Sequence, residues 1–126
     1  KNGKITVFGG DQTRPNIHIQ DMANVYRHFI NNPEIPSGCY NAGFENITIS
    51  EIAERVTMRV NAEIVISTSN DPRSYRQDSN KLLSTGFKPT KSVFDAISEI
   101  AEAFEKNDLP DNDTCYTVKC MKQHNL

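Results

Sequence analysis

The chain has 126 residues, 37% of them hydrophobic and 24% charged, which fits a single folded domain and excludes the polar, highly charged composition of a disordered chain. Fourteen Lys and Arg against sixteen Asp and Glu give a net charge of −2, the wrong sign for a protein that coats nucleic acid by displacing counterions. No apolar run is long enough to cross a bilayer, and no basic stretch leads into an apolar one as in a signal peptide.

Three cysteines, Cys39, Cys115 and Cys120, are too few and too irregularly spaced for a disulfide framework or a zinc site. They read as reduced thiols of a cytoplasmic protein. The opening Lys1-Asn2-Gly3 has no Met and reads as the interior of a longer polypeptide.

Lys4 to Phe8 alternates and is β-rich, which predicts a strand. The Gly9-Gly10-Asp11-Gln12 turn breaks it. Asn16 to Ile19 alternates again and predicts a second strand, with Asp21 as the N-cap of the helix that follows. Met22, Tyr26, Phe29 and Ile30 form that helix's apolar stripe, and Asn31-Asn32-Pro33 ends it. Gly38 to Ala42 reads as a short strand closed by Gly43. Thr48-Ile49-Ser50-Glu51 is a capping box. It opens a helix with Ile49, Ile52, Ala53, Val56 and Val60 on one face.

Glu63 to Thr68 predicts a strand from its β-branched content, and residues 69–77 a polar loop. Asp78 or Ser79 opens a short helix through Leu82 and Leu83, stopped by Gly86 and Pro89. Ser92 caps a longer helix, whose Val93, Ile97, Ile100 and Phe104 predict a core-facing stripe. Residues 107–114 read as a linker, and the tail from Cys115 has no convincing period. The expected class is α/β: a mixed α+β subdomain of short, scattered strands with about four helices.

No catalytic apparatus is complete. Gly9-Gly10 lacks the further glycine and the helix of a dinucleotide loop. Tyr116-Thr117-Val118-Lys119 is one residue short of Tyr-x-x-x-Lys. His18 and His28 have no third ligand at a matching spacing, and Glu99, Glu102 and Glu105 read as a solvated helix face. What remains is guanidinium and amide groups at strand ends: Arg14 after the Gly-Gly-Asp-Gln turn, Asn41, and Arg73 and Arg76 in the polar loop. A planar guanidinium matches phosphate oxygens in pairs, so convergence of these loops would hold a diphosphate. The competing reading makes each Arg a surface ion pair.

The stretch from Gly3 to Ala23, GKITVFGGDQTRPNIHIQDMA, resembles a segment of the extended short-chain dehydrogenase/reductases, the NAD-dependent epimerases and dehydratases of nucleotide sugars. Their pattern there is Gly-x-Gln-x-Arg-(Asp or Pro)-x-x-His-(Val or Ile)-x-Asp-(Val or Met)-Ala. Cys39-Tyr40-Asn41-Ala42-Gly43 resembles the family's Tyr-Asn-x-Gly element, and Ile49-Ser50-Glu51-Ile52-Ala53 its Ser-x-x-Glu-Leu-Ala helix start, shortened by register. Asp78-Ser79-Asn80-Lys81-Leu82 with Thr85-Gly86-Phe87-Lys88-Pro89 is similar to Asp-x-Ser-Lys followed by Leu-Gly-(Trp or Phe)-x-Pro, and Ser92 to Phe104 to the terminal helix. One departure is the absence of Arg from Ser67-Thr68-Ser69-Asn70-Asp71, where many members carry Arg-x-Gly-Asp; it leaves the nucleobase open.

The resemblance implies the C-terminal part of a Rossmann-type enzyme. Residues 1–106 would be a substrate-binding subdomain and 107–126 a linker and tail. It implies substrate-binding roles for Arg14, Asn41 and Arg73, and structural roles for His18 and Asp21, with Asp21 capping a helix and His18 ordering the turn before it. The parent would bind NAD or NADP through a missing N-terminal Rossmann domain, act on a nucleotide sugar, and need neither nucleic acid nor membrane. A homodimer is within the family's habits. The chain itself would bind no cofactor or metal and have no activity. The alternative is a stand-alone, non-catalytic module that binds a nucleotide or a protein.

Overall fold

In the computed structural model, residues 3–109, 112 and 115–124 are described; part of the expected 107–114 linker lies outside them. The elements are β1 (Lys4–Phe8), β2 (Thr13–Asn16), α1 (Ile19–Asn31), β3 (Glu45–Thr48), α2 (Ile49–Arg59), β4 (Glu63–Ser67), α3 (Asn80–Leu83), α4 (Val93–Glu105) and α5 (Thr117–Gln123). The class is mixed α/β. Five helices, not four, occur among the described residues, because the tail after Cys115 forms α5.

Two two-stranded sheets organise the chain. β1 pairs in parallel with β4, Lys4 opposite Glu63 through Phe8 opposite Ser67. β2 pairs antiparallel with β3, Thr13 opposite Thr48 through Asn16 opposite Glu45. Thr48 ends β3 and caps α2 in the same step: its hydroxyl accepts from Glu51 N, and the Glu51 carboxylate accepts from Thr48 N. α2 then lies against β1, β4 and α4. The core is small: Val25, Leu82 and Phe87, with Ile17, Phe29, Tyr40, Ala42 and Phe44 packed around them.

Asn16 to Ile19 does not form a strand. The ladder lies earlier, at Thr13–Asn16, because His18 caps α1 with a side chain that accepts from Gln20 N, which draws Ile19 into the helix. The cap is therefore His18 and not Asp21. Asp21 sits in the first turn, fully buried. Its carboxylate accepts from Thr90 N at 3.0 Å, Thr90 Oγ1 at 2.8 Å and Lys91 N at 2.9 Å. Burial opposes its charge, but these bonds outweigh burial and hold its pKa below the ordinary carboxylate range.

Gly38 to Ala42 is not a strand either. Its polar groups, and those of Gly43 just after it, pair with the segment 78–81 instead of a neighbouring strand. Lys81 Nζ donates to Cys39 O, Asn41 Nδ2 donates to Asp78 O, and the Ser79 hydroxyl both accepts from Gly43 N and donates to Gly43 O. These partners lie 36 to 42 residues away in sequence.

The apolar stripes are only partly covered. On α1, Val25 is buried, while Tyr26 and Ile30 of the expected stripe are exposed. On α4, Ala101 is buried, whereas Ile100 and Phe104 face solvent. α4 is fastened at its start by polar groups: Ser92 and Asp95 form a second capping box, and Val93 N donates to the Glu45 carboxylate, which also takes Arg55 Nη1 at 2.8 Å. Among the described residues no helix is long and apolar enough to cross a membrane.

Leu82, wholly buried, is expected to cost about 2–5 kcal/mol when replaced by Ala; Ile97→Ala, half-buried, should cost clearly less, and denaturant melts giving equal losses would overturn this account of the core. For Asp21→Asn the expected loss is about 1.5–3 kcal/mol at neutral pH. The stabilisation from a depressed carboxylate is complete above the unfolded value of 3.8 and disappears as pH falls through the lower folded value. The gap between the parent and the Asp21→Asn variant should therefore narrow in melts taken below that pH; a constant gap would show that the Asp21 charge is not what matters.

Candidate functional site

Two arginines and a carboxylate gather where residues 69–77 close over the β1–β2 turn. The turn itself is shaped by Gln12. Its side-chain oxygen accepts from Gly10 N at 2.8 Å, and its amide donates to Asp71 O at 3.0 Å, bridging to the loop. Gly9, with φ of +80°, and Gly10, with φ of +117°, occupy the left-handed region, and a side chain at Gly9 would collide with Gln12.

Beyond the turn, β2 carries the loop along its flank. Thr13 N donates to Ser74 Oγ at 2.9 Å, and Tyr75 N donates to Thr13 O at 3.0 Å. Further on, Asn46 brackets Gln77: its amide donates to Gln77 O at 3.0 Å and its oxygen accepts from Gln77 N at 2.8 Å. The loop is thus held at three points by groups from β2 and β3.

This arrangement brings Arg14 and Arg73 together. Arg14 Nη1 donates to Arg73 O at 2.7 Å, its Nη2 stands 3.5 Å from Asp71 Oδ2, and its guanidinium lies over the Tyr75 ring, 5.2 Å from the centroid. Arg73 grips the same carboxylate with two bonds, Nε at 2.6 Å and Nη2 at 3.0 Å. Hydrogen bonds from the Arg73 side chain and then its backbone N, with the charges of Arg73 and Arg14, hold the Asp71 pKa at about 2. In return, the Asp71 hydrogen bond raises that of Arg73.

Asp71 and Tyr75 are the residues that sequence reasoning missed. Asp71 accepts from Arg73 N at 3.1 Å, the local Asx turn that an Asp-Pro dipeptide favours; that signal was available at Asp71-Pro72. The pairing of Asp71 with Arg14 was not, because the two lie far apart in sequence. Arg76 stands near the start of α2, its charge felt by Glu51.

Asn41 lies elsewhere. Its amide is engaged by Asp78 O at 3.1 Å, and its side chain lines a trough of about 410 Å³ with Met22, Tyr26, Phe29, Tyr40 and Gln77. Gly43 lies against Gln77 of the trough and Pro15, the residue after Arg14: an added Cβ would stand 2.9 Å from Pro15 Cβ and collide with Gln77.

His18 and His28 do not form a pair. His18 Nδ1 accepts from Gln20 N at 3.1 Å and Nε2 meets Glu99 Oε2 at 3.1 Å, which requires the proton on Nε2 when the ring is neutral. Glu99 also receives Lys91 Nζ at 2.7 Å, and Glu105 pairs with Arg59 at 3.0 Å, so that acidic face is partly engaged. His28 meets Thr85 Oγ1 instead. Among the described residues no cluster of three or more His, Cys, Asp or Glu could hold a metal ion.

The Asp71 carboxyl should titrate near 2 when followed by carbon NMR, and Arg73→Gln should return the midpoint toward 3.8. An unperturbed Asp71 in the parent chain would mean the latch does not form.

No protein-family model matches the chain. Its fold is similar to that of two solved structures. One is RMD from Pseudomonas aeruginosa complexed with NADPH, with a TM-score of 0.70 and 20% identity over 85% of this chain and 37% of that one. The other is named DdhaC, with a TM-score of 0.67 and 28% identity over 85% of this chain and 33% of that one. The chain therefore spans about a third of the length of the structures it matches.

Proposed function

We propose that this chain is the substrate-binding portion of an NAD(P)-dependent enzyme acting on nucleotide sugars, an epimerase, dehydratase or reductase, with the diphosphate held at the Arg14–Arg73 corner. Residues 1–106 form the binding subdomain in this reading, and 107–126 a linker and tail. The single observation that carries it is the convergence of the Arg14 and Arg73 guanidiniums, 59 positions apart, on the Asp71 carboxylate, with Arg14 on β2 and Arg73 on a loop fastened to β2 and β3 by hydrogen bonds.

The direction of approach follows from charge. The cleft of about 220 Å³ beside the turn is lined by Asp11 and Asp71, which repel phosphate. A diphosphate reaches the guanidiniums from the Tyr75 side and displaces Asp71 from the Arg73 fork. Asp71 meanwhile keeps both cations in place while the site is empty. Asn41 belongs to the neighbouring trough, where Tyr26, Tyr40 and Phe29 offer aromatic faces to a nucleoside or sugar ring.

The hydride carrier is NAD or NADP, bound by a Rossmann domain outside this chain. RMD is solved with NADPH, which supports that cofactor class for a parent of the same fold. The β1–β4 pair supports a missing partner layer. Parallel sheets are normally covered on both faces, yet Phe8, Val65 and Ile66 are exposed here. With no Tyr-x-x-x-Lys pair in the sequence, this chain supplies grip and orientation rather than proton or hydride transfer.

Calorimetric titration with nucleoside diphosphates tests the reading. Binding is expected, weakened by about 1.5–3 kcal/mol in Arg14→Ala, the range for a hydrogen bond to a charged group. Asp71→Asn should tighten it by up to about fivefold, equivalent to ~1 kcal/mol. Affinity indifferent to Arg14 would remove the corner from the substrate site.

A further inference from the structure

A second cationic surface lies on α1, away from the residues assigned above. Asn24, Arg27, His28, Asn31 and Asn32 recur at helical spacing and form one wall of an open cleft of about 300 Å³. Gly86, Phe87 and Lys88, between α3 and α4, form the other. Neither wall contributes an Asp or Glu.

The two cations here differ from the six Lys and Arg that stand in ion pairs among the described residues. Lys4, Arg14, Arg55, Arg59, Arg73 and Lys91 each stand against a carboxylate. Arg27 and Lys88 make no ion pair or side-chain hydrogen bond among the described residues. Acidic residues outnumber basic ones in this sequence, yet the residues lining this cleft include two such cations and no carboxylate.

Its floor is fixed while these cations are unengaged. Phe87 is buried and meets the His28 ring edge-on, with centroids 5.6 Å apart. The Thr85 hydroxyl donates to Leu82 O at 2.6 Å and so accepts from His28 Nε2 at 2.8 Å. Asn32 Nδ2 donates to His28 O at 2.7 Å. Among the described residues, the cleft's side-chain donors without an internal partner are those of Arg27, Asn31 and Lys88.

We propose that this cleft binds a phosphate dianion, with Arg27 and Lys88 supplying charge and Asn31 an amide donor. The guanidinium takes two phosphate oxygens side by side, and the ammonium acts as a point charge beside them. The group recognised is a terminal phosphate, either inorganic or carried as a sugar phosphate ester. This site shares no residue with the Arg14–Arg73 corner and stands or falls independently of it.

The test is an amide NMR titration of the chain with sodium phosphate, repeated with glucose 6-phosphate and with sodium chloride at matched ionic strength. Saturable shifts at Arg27, Asn31, Gly86 and Lys88 are expected with both phosphates and not with chloride. Tighter binding of the ester identifies a sugar phosphate as the natural form; equal binding identifies the bare anion. Arg27→Gln with Lys88→Gln should weaken the response at least about tenfold, and the single charge reversal Arg27→Glu should abolish it. The spectrum outside the cleft reports that each variant remains folded. Shifts that never saturate, that chloride reproduces, or that survive the double substitution overturn the proposal.

Discussion

The placement of the C-terminal half rests on one buried carboxylate. Asp21 has no contact with solvent, so its charge is tolerable only if donors surround it. Thr90 and Lys91 supply them from the segment just ahead of α4. The bond runs across 69 and 70 positions of sequence, and it sets where α4 begins. Glu45 on β3 adds a second anchor by taking Val93 N and Arg55 together. Two carboxylates from different elements therefore seat the α4 N-terminus, where the helix dipole also favours negative charge. With α4 seated, α2 is held between it and the β1–β4 pair.

Polar fastening of this kind compensates for a modest core. Few large side chains are fully buried, and Phe8, Ile66, Ile100 and Phe104 remain open to solvent. Individual hydrogen bonds contribute only about 0.5–1.5 kcal/mol net, so their main effect is on geometry rather than on total stability. The 69–77 loop illustrates it. Gln12, Thr13, Arg14 and Asn46 each reach a different point along the loop, and together they leave it little freedom to carry Arg73 away. A guanidinium already ordered loses less entropy on meeting a ligand than one on a free loop.

What the sequence made legible was local. Both capping boxes close within three residues, Thr48 with Glu51 and Ser92 with Asp95, and Thr48 and Ser92 open their helices as read. The strands of the parallel pair were legible from β-branched content. The failures lie where distant groups decide. Gly38 to Ala42 has strand-like residues, but Lys81 takes Cys39 O, Asp78 O takes the Asn41 amide, and Ser79 takes the neighbouring Gly43 before any strand does. Asp21 has an N-cap's residue type, yet the nearer His18 ring takes the cap and frees Asp21 for Thr90. Periodicity located the apolar faces of α1 and α4 without telling which parts meet a neighbour, so Tyr26 and Ile100 ended exposed. At the candidate site, residue type singled out Arg14, Asn41, Arg73 and Arg76 without telling which would meet: Arg14 and Arg73 share a carboxylate that was not foreseen, and Asn41 lies apart.

Net charge is a poor guide to where this molecule can take an anion. The overall value of −2 argues correctly against a surface that binds polyanions without specificity, since that needs a continuous basic field. It says nothing of local sign. At the arginine corner, two cations share one acid that is held near a pKa of 2, so the acid stays charged at any ordinary pH and an incoming phosphate must compete with it. At the α1 cleft none of the described lining residues is acidic, and an anion would meet the cations without displacing a carboxylate from them. The first arrangement favours a ligand that brings several contacts and can displace a carboxylate, as a nucleoside diphosphate does. The second suits a small, compact dianion. The two surfaces therefore differ in the size of ligand they select more than in the charge they offer.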